Sequence, residues 1–241
     1  MKIILGQGAR QMIILIGSSS DIGKQLLPML LTKDEVLGTT RNKEKLSEFM
    51  DNENFNCAEL DLTDKESITS FCKEITNIQG KITLINLSSI SIDKLFLGYS
   101  SDEWDTVLNI NLTGGVKILQ TAIPVMMRAG WGRIINVSSV VAQSCVVGAA
   151  AYSASKAAVT AMTRSLAHEY GRFGITANSL VLGYFDTGLI HSLDEDRQKA
   201  VLERIPSKKF GSCKDIYYAI EHIMKSDYLN GSEITIDGGL M

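Results

Sequence analysis

Tyr152 and Lys156 stand four residues apart in "AAAYSASKAAVTAMTRSLAHEYG", an alanine-rich stretch that reads as a helix from about Tyr152 to Gly171. At that spacing both side chains lie on one helix face, one turn from each other. A lysine ammonium beside a phenol favours the phenolate, and is expected to lower the tyrosine pKa from about 10 toward the working range. Such a tyrosine can exchange a proton with a carbonyl or alcohol oxygen. Ser139 ends the preceding run "RIINVSS", so its hydroxyl would emerge at the carboxyl edge of a parallel sheet, where ligands of open α/β sheets bind.

A second stretch points to a phosphate. "ILIGSSSDIGKQLL", residues 14 to 27, runs from apolar residues through a polar loop into a helical pattern. A helix N-terminus placed there, with unpaired N–H groups and a positive dipole end, suits a pyrophosphate. Gly17 ends the strand where the chain must turn, and Gly23 sits one turn into the helix where close packing favours no side chain. Ser18, Ser19 and Ser20 offer hydroxyl donors. Asp21 is the awkward residue beside an anion. It is expected either to take a left-handed backbone conformation or to cap the first N–H groups of a helix starting at Ile22.

The rest of the chain supplies elements to hold these groups. Short β-branched runs alternate with longer helical stretches, the pattern of βαβ units around a parallel sheet. Strands are predicted at 12–16, 35–40, 54–61, 82–87, 132–138, 175–183 and 233–237. Helices are predicted near 22–32, 43–50, 64–78, 101–129, 152–172 and 213–226. The fold class is therefore α/β, a Rossmann-type doubly wound sheet of about seven strands in one domain over residues 1–241. Residues 184–212 are polar and weakly periodic, which fits a mobile lid better than a sheet element. Residues 1–11 read as an N-terminal extension, and the "GQG" at 6–8 as a chance match, since no amphipathic helix follows it.

Composition narrows the partners. With 24 basic and 27 acidic residues the net charge is -3, which leaves no nucleic-acid footprint and no polybasic membrane patch. The apolar opening is too short and too interrupted for a membrane span or signal core, so a cytoplasmic location is expected. Cys57, Cys72, Cys145 and Cys213 lie far apart and are expected to be buried free thiols. Neither they nor His168, His191 and His222 have metal-ligand spacing, so no metal is expected.

At YxxxK (152–156), "NVSS" (136–139) and "NINLTG" (109–114), the chain resembles the short-chain dehydrogenase/reductase family, over nearly everything from Met12 to the C-terminus. The resemblance implies a catalytic set in which Tyr152 is the general acid/base and Ser139, not the adjacent Ser138, orients the substrate oxygen. Lys156 would bind the nicotinamide ribose and lower the tyrosine pKa, and Asn111 would hold a water in the proton relay. Gly17, Ser19, Ser20, Asp21, Ile22 and Gly23 would form the cofactor loop, in which Ile16 and Asp21 replace the threonine and middle glycine of TGxxxGxG. Asp61 would accept from the adenine amino group, with Leu62 beside it. The family's NNAG is "NLSS" here, residues 86–89, which keeps Asn86. Its PG is Leu182-Gly183, with Thr187 available to the carboxamide or pyrophosphate.

An acidic residue about 20 residues past the loop would select NAD. Thr40 occupies that position, followed by Arg41 with Lys43 nearby; a guanidinium there would pair with a 2′-phosphate, which favours NADP, a solvated basic turn being the alternative. For the substrate, the texture of "MMRAGWGRIINVSS" and "GSEITIDGG" is most similar to the 3-oxoacyl-[acyl-carrier-protein] reductase branch, with Arg128, Arg133 and Arg172 as part of a docking surface for an acidic carrier. A sugar, polyol or other small-ketone dehydrogenase is the alternative, and a catalytically silent NADP-binding regulatory or assembly subunit is the alternative from another class. The helices near 101–129 and 152–172 carry more alanine, methionine and leucine than one sheet face needs. In the family this pair forms a dimer interface, so a homo-oligomer, tetramer or dimer, is expected.

Overall fold

The computed structural model describes residues 11–144, 146–191 and 194–241. The expected N-terminal extension, apart from Gln11, and Cys145 lie outside the described residues. Seven strands, β1 (Met12–Ile16), β2 (Glu35–Thr40), β3 (Phe55–Glu59), β4 (Ile82–Asn86), β5 (Gly132–Ser139), β6 (Ile175–Leu182) and β7 (Glu233–Ile236), form one parallel sheet in the order β3-β2-β1-β4-β5-β6-β7. The helices are α1 (Asp21–Leu30), α2 (Lys65–Thr76), α3 (Ser101–Leu108), α4 (Gly114–Ala129), α5 (Ala150–Tyr170), α6 (Gly188–His191), α7 (Glu195–Arg204) and α8 (Cys213–Lys225).

Every residue of β1, β4, β5 and β6 is buried, because helices cover both faces of the sheet. Alternation along β1 divides the two cores. Met12, Ile14 and Ile16 join Phe71 of α2, Ile118 and Met126 of α4 and Ala167 of α5, whereas Ile13 and Leu15 join Leu26 and Leu27 of α1 and Ile216 and Ile220 of α8. The strand order reverses at β1, whose neighbours are β2 and β4. That is the topological switch point, where the flanking connections diverge and leave a crevice at the carboxyl ends of the strands.

Two expectations need correction. The helix predicted over 101–129 is interrupted between α3 and α4 by a π turn at Asn109–Thr113. The glycines after it let α4 settle close: a Cβ at Gly114 would come 2.9 Å from Leu62 Cδ2, and one at Gly115 2.8 Å from Asn86 Nδ2. The segment expected as an irregular lid holds two helices and an isolated parallel bridge between Phe185 and Gly211. Of these, α7 is capped by Asp194, whose Oδ1 accepts from Arg197 N at 2.8 Å, and none of its residues is buried. A helix without a buried stripe leaves no apolar period to read.

Of the described cysteines, Cys72 and Cys213 are buried and Cys57 is only half-buried; all three are free thiols. Among the described residues no cluster of metal-ligating side chains occurs, and no helix is long and apolar enough to cross a membrane.

At the amino edge of the sheet Arg133 is the largest fully buried side chain. Its guanidinium donates to the carbonyls of Gly132 (2.9 Å), Met224 (3.3 Å) and Gly174 (3.4 Å), pairs with Asp227, and stacks 4.3 Å from the Trp131 ring centroid. The carbonyls and the packing are interior, whereas Asp227 is 89% exposed. Arg133→Ala is therefore expected to cost about 2–4 kcal/mol through lost packing and unpaired buried carbonyls. Asp227→Ala should cost less than about 1 kcal/mol, because an exposed partner is replaced by water. Urea denaturation of both variants checks this, and equal losses would contradict it.

Candidate active site

The loop from β1 to α1 is closed from behind by β2. Gly17 takes φ +83°, and its N–H donates to Thr39 Oγ1 at 3.1 Å. Ser18 is fully buried; its hydroxyl donates to Leu15 O (2.7 Å) and accepts from Thr39 N (3.1 Å). A Cβ on Gly23 would come 2.6 Å from the carbonyl oxygens of Gly17 and Ser18, so only glycine fits under the turn. The helix cap is Ser20, whose Oγ accepts from Gly23 N at 3.1 Å. This corrects the reading of Asp21. It is the exposed first residue of α1, in helical conformation, neither left-handed nor the cap, since Ser20 already occupies the cap position. Its carboxylate acts instead on Cys213, which burial, with Asp21 and Asp186 nearby, pushes up to about 11.

From this loop a groove of about 300 Å³ crosses the switch point. Asp61 and Leu62 after β3, with Thr40 and Arg41 at the end of β2, line one end, Gly17, Ser19 and Ser20 after β1 the middle, and Ser88, Ser89 and Ile90 after β4 the other end. Asp21, Ile22 and Gly23 lie off its wall, as do the Asn86 side chain, Gly183 and Thr187. Each of the last three has an internal task. Asn86 Oδ1 accepts from Ser88 N at 3.1 Å, and a Cβ on Gly183 would strike Asp237 Cα at 2.7 Å. Thr187 is buried, its N–H bonded to Phe185 O at 2.8 Å.

Asp61 Oδ1 accepts from Thr63 N (2.8 Å) and Thr63 Oγ1 (2.7 Å); these bonds, with the charge of Arg41, hold its carboxyl below the usual range. Lys45, which the sequence reading passed over, joins Arg41 on the groove wall, whereas Lys43 does not. The short 3₁₀ helix Lys43–Phe49, capped by Asn42 Oδ1 accepting from Glu44 N at 2.9 Å, turns the chain after Arg41 and carries Lys45 to the wall.

At the far end β5 delivers two serines to opposite sides. Ser138 is buried, donating to Lys156 O at 3.1 Å and accepting from Thr160 Oγ1 at 3.0 Å. Ser139 Oγ accepts from Val141 N at 3.3 Å, and its hydroxyl, with that of Ser89, lies close enough to the Tyr152 hydroxyl to act on it. Lys156 is buried; its Nζ donates to Val137 O at 2.9 Å and lies 5.8 Å from the Tyr152 ring centroid. Burial lowers its pKa to about 8.

The expected lowering of the Tyr152 pKa is not what the structure gives. Desolvation pushes the phenol up and Asp93 adds to it, while the hydroxyls of Ser89 and Ser139 pull it down. Lys156 is not among the groups acting on it, because its ammonium is turned to the Val137 carbonyl. Asn111 is buried in the π turn, and its side chain makes three hydrogen bonds: Oδ1 accepts from Ile90 N (2.8 Å), and Nδ2 donates to Ile90 O (2.9 Å) and Ser155 Oγ (3.0 Å). Both amide protons are used, so a water held by this side chain would bind the second lone pair of Oδ1.

Of the three arginines expected in a docking surface for an acidic carrier, Arg128 and Arg172 are exposed and Arg133 is not. Arg133 starts β5, Arg128 ends α4 and Arg172 follows α5, all at the amino edge of the sheet, opposite Tyr152. Arg133 is moreover buried and paired.

Residues 11–198 match the family model for short chain dehydrogenases. The chain is 31% identical over 234 residues to 3-oxoacyl-[acyl-carrier-protein] reductase FabG of Vibrio harveyi, covering 94% of this chain and 96% of that protein. It is 34% identical over 189 residues to nodulation protein G of Azospirillum brasilense, 77% of each. Among solved structures, gluconate 5-dehydrogenase from Burkholderia cenocepacia, in complex with NADP and tartrate, superposes with a TM-score of 0.87 at 28% identity, covering 96% of this chain and 94% of that one. A match over most of the length, on a sheet whose switch point carries the glycine loop and the Tyr152–Lys156 pair, places this chain in the short-chain dehydrogenase family.

Proposed function

We propose that the protein reduces a carbonyl to an alcohol with NADPH, that Tyr152 is the proton donor, and that the substrate is a 3-oxoacyl thioester. The observation that carries the chemistry is the grouping of Ser139, the Tyr152 hydroxyl and a buried Lys156 next to Ser89, which lines the end of the groove beyond the glycine loop. The residues fit the cofactor. Lys156 uses one of its three ammonium donors on Val137 O, which leaves donors for ribose hydroxyls. Arg41 and Lys45 offer two cations where a 2′-phosphate would lie, and no carboxylate ends β2 to select a free diol. Gly17, Ser19 and Ser20 would face the pyrophosphate.

When bound, NADPH supplies the hydride that the carbonyl carbon accepts. Ser139 donates a hydrogen bond to the carbonyl oxygen and fixes its position. Tyr152 passes its proton to that oxygen as the negative charge develops. Lys156, charged below about pH 8, would turn the donors not used on Val137 O to the ribose hydroxyls. The grouping of Ser139, Tyr152 and Lys156 argues against a silent subunit.

The thioester reading is supported by the 31% identical reductase relative. It is also supported by exposed apolar side chains on the segment after β4, Leu95 (70%) and Leu97 (97%), and by Val147 (87%) just before α5. Lys94 N bonds to Gly148 O at 2.9 Å, which brings these segments together beside Tyr152, where an acyl chain would need apolar contact. A sugar-acid or polyol substrate is the second reading, favoured by the gluconate 5-dehydrogenase likeness. The same exposed apolar residues support a homo-oligomer, and light scattering at micromolar concentration should give a dimer or tetramer mass; a monomer mass would refute it.

Assayed with NADPH and NADH against acyl thioesters, keto-sugars and small ketones, the protein should turn over 3-oxoacyl thioesters with NADPH most efficiently; a preference for keto-sugars would replace the thioester reading. On the confirmed substrate Tyr152→Phe should lose about 10²–10⁴-fold in turnover, the scale of general acid catalysis, with NADPH affinity retained. Substantial residual turnover would remove Tyr152 from the proton transfer. Arg41→Ala should weaken NADPH by about 1.5 kcal/mol, the low end for a charged hydrogen bond because the site is exposed, and barely change NADH. Lys45→Ala should act in the same direction. Equal losses for the two cofactors in a fluorescence titration would mean that neither cation reads the phosphate.

A further inference from the structure

β4 and β5 run side by side in register, with Asn86 opposite Asn136. Three residues beyond this pair Ser139 ends β5, and Ser89 lies in the loop that follows β4 on the neighbouring strand. Both hydroxyls are within reach of the Tyr152 hydroxyl and pull its pKa down. Ser89 is not loosely placed. The peptide that follows it is held at two points by Asn111, through Ile90 N at 2.8 Å and Ile90 O at 2.9 Å. The same Asn111 amide reaches Ser155 Oγ at 3.0 Å, and Ser155 Oγ donates to the Tyr152 carbonyl at 2.7 Å. One side chain thus fixes the backbone of both partners. Ser89 also forms part of the groove wall, so it stands between the groove and the phenol. It occupies the place of the glycine in the NNAG pattern, where no side chain would reach the tyrosine.

We propose that Ser89 is a second positioning residue for the proton transfer, its hydroxyl donating to the Tyr152 phenol oxygen alongside Ser139. Two donors on one oxygen orient its lone pairs and leave the phenolic proton directed at the substrate. They also stabilise the phenolate formed when that proton departs. The charged groups facing Tyr152 are Lys156 on its own helix and Asp93 on the segment after β4. Asp93 opposes the phenolate, and Ser89 stands four residues before it on that same segment. The proposal rests on Tyr152 as the proton donor but not on the identity of the carbonyl substrate.

The test is a near-ultraviolet phenolate titration of the substrate-free protein, with the Tyr152→Phe curve subtracted so that only this phenol is read and Lys156 is silent. Ser89→Ala and Ser89→Gly should each move the Tyr152 midpoint upward by roughly half to one pH unit, the shift that loss of one hydrogen bond supports. Ser89→Thr, which keeps the hydroxyl, should return it toward wild type. The pH profile of kcat on whichever carbonyl substrate the panel identifies should move the same way. An unmoved midpoint in both Ala and Gly variants, with Ser139→Ala moving it, would overturn the proposal. So would a Thr variant that behaves like Ala. Full activity of Tyr152→Phe would be a different failure, that of the acid assignment itself.

Discussion

The Asn111 amide is surrounded by protein and uses both its oxygen and its nitrogen on three partners, the N–H and C=O of Ile90 and the hydroxyl of Ser155. Each bond lost in that interior would leave a desolvated polar group at a cost of about 1–3 kcal/mol, so the arrangement is strongly preferred over any looser one. Its position depends on the π turn. An extra residue in the turn re-aims the side chains that follow relative to a regular helix, and at Asn109–Thr113 it turns Asn111 toward the loop after β4. The turn in turn requires Gly114 and Gly115, because α4 approaches Leu62 and Asn86 too closely for a Cβ. Two glycines thus set the helix, the helix sets the amide, and the amide joins the segment bearing Ser89 to the turn bearing Tyr152.

The other end of the groove is built by the same economy of space with a different electrostatic balance. Gly17 and Gly23 let strand and helix meet, and Ser18 exchanges hydrogen bonds with β2 so that the loop cannot open backward. With Ser20 as the cap, Asp21 falls in the first turn, where a carboxylate interacts favourably with the helix dipole by about 0.3–1 kcal/mol. A cofactor pyrophosphate would draw on the same dipole. The carboxylate is therefore a competitor placed off the groove wall, close enough to Cys213 to help keep that thiol protonated.

How far such a site can be read from sequence depends on which force positions each residue. The seven strands were legible almost to the residue because burial on both faces demands unbroken apolar runs, and Tyr152–Lys156 because a one-turn spacing survives any tertiary context. The two serines that end β5 were told apart only by the family resemblance, which puts the catalytic role on the second. The π turn was not legible, since "NINLTG" has ordinary helical composition and the extra residue is forced by α4 packing against distant glycine contacts. Helix α7 buries nothing, so its period carried no signal. Lys45 was hidden behind Lys43, because the 3₁₀ helix that selects between them depends on a single cap at Asn42. Arg133 was misread for another reason: composition reports charge without burial, and only the packing around Trp131, Met224 and Gly174 shows that this arginine cannot join a surface with Arg128 and Arg172.

The sign of the Tyr152 shift was missed because spacing reveals a neighbour but not what that neighbour is bonded to. Lys156 gives its proton donor to Val137 O, and burial is then the largest influence on both groups, lowering the lysine to about 8 and raising the phenol. The consequences for stability have opposite signs. A lysine with a depressed folded-state pKa binds fewer protons folded than unfolded between about pH 8 and its ordinary value, so its contribution to stability rises with pH across that window. A phenol with a raised pKa binds more protons folded than unfolded above its ordinary value of 10, so its contribution falls with pH there. Near neutrality the lysine is still charged and the phenol still protonated. The substrate-free site is therefore held in the state that carbonyl reduction consumes, a proton on Tyr152 and a cation beside it. Oxidation of an alcohol would instead have to start from the phenolate, the form that desolvation and Asp93 both oppose.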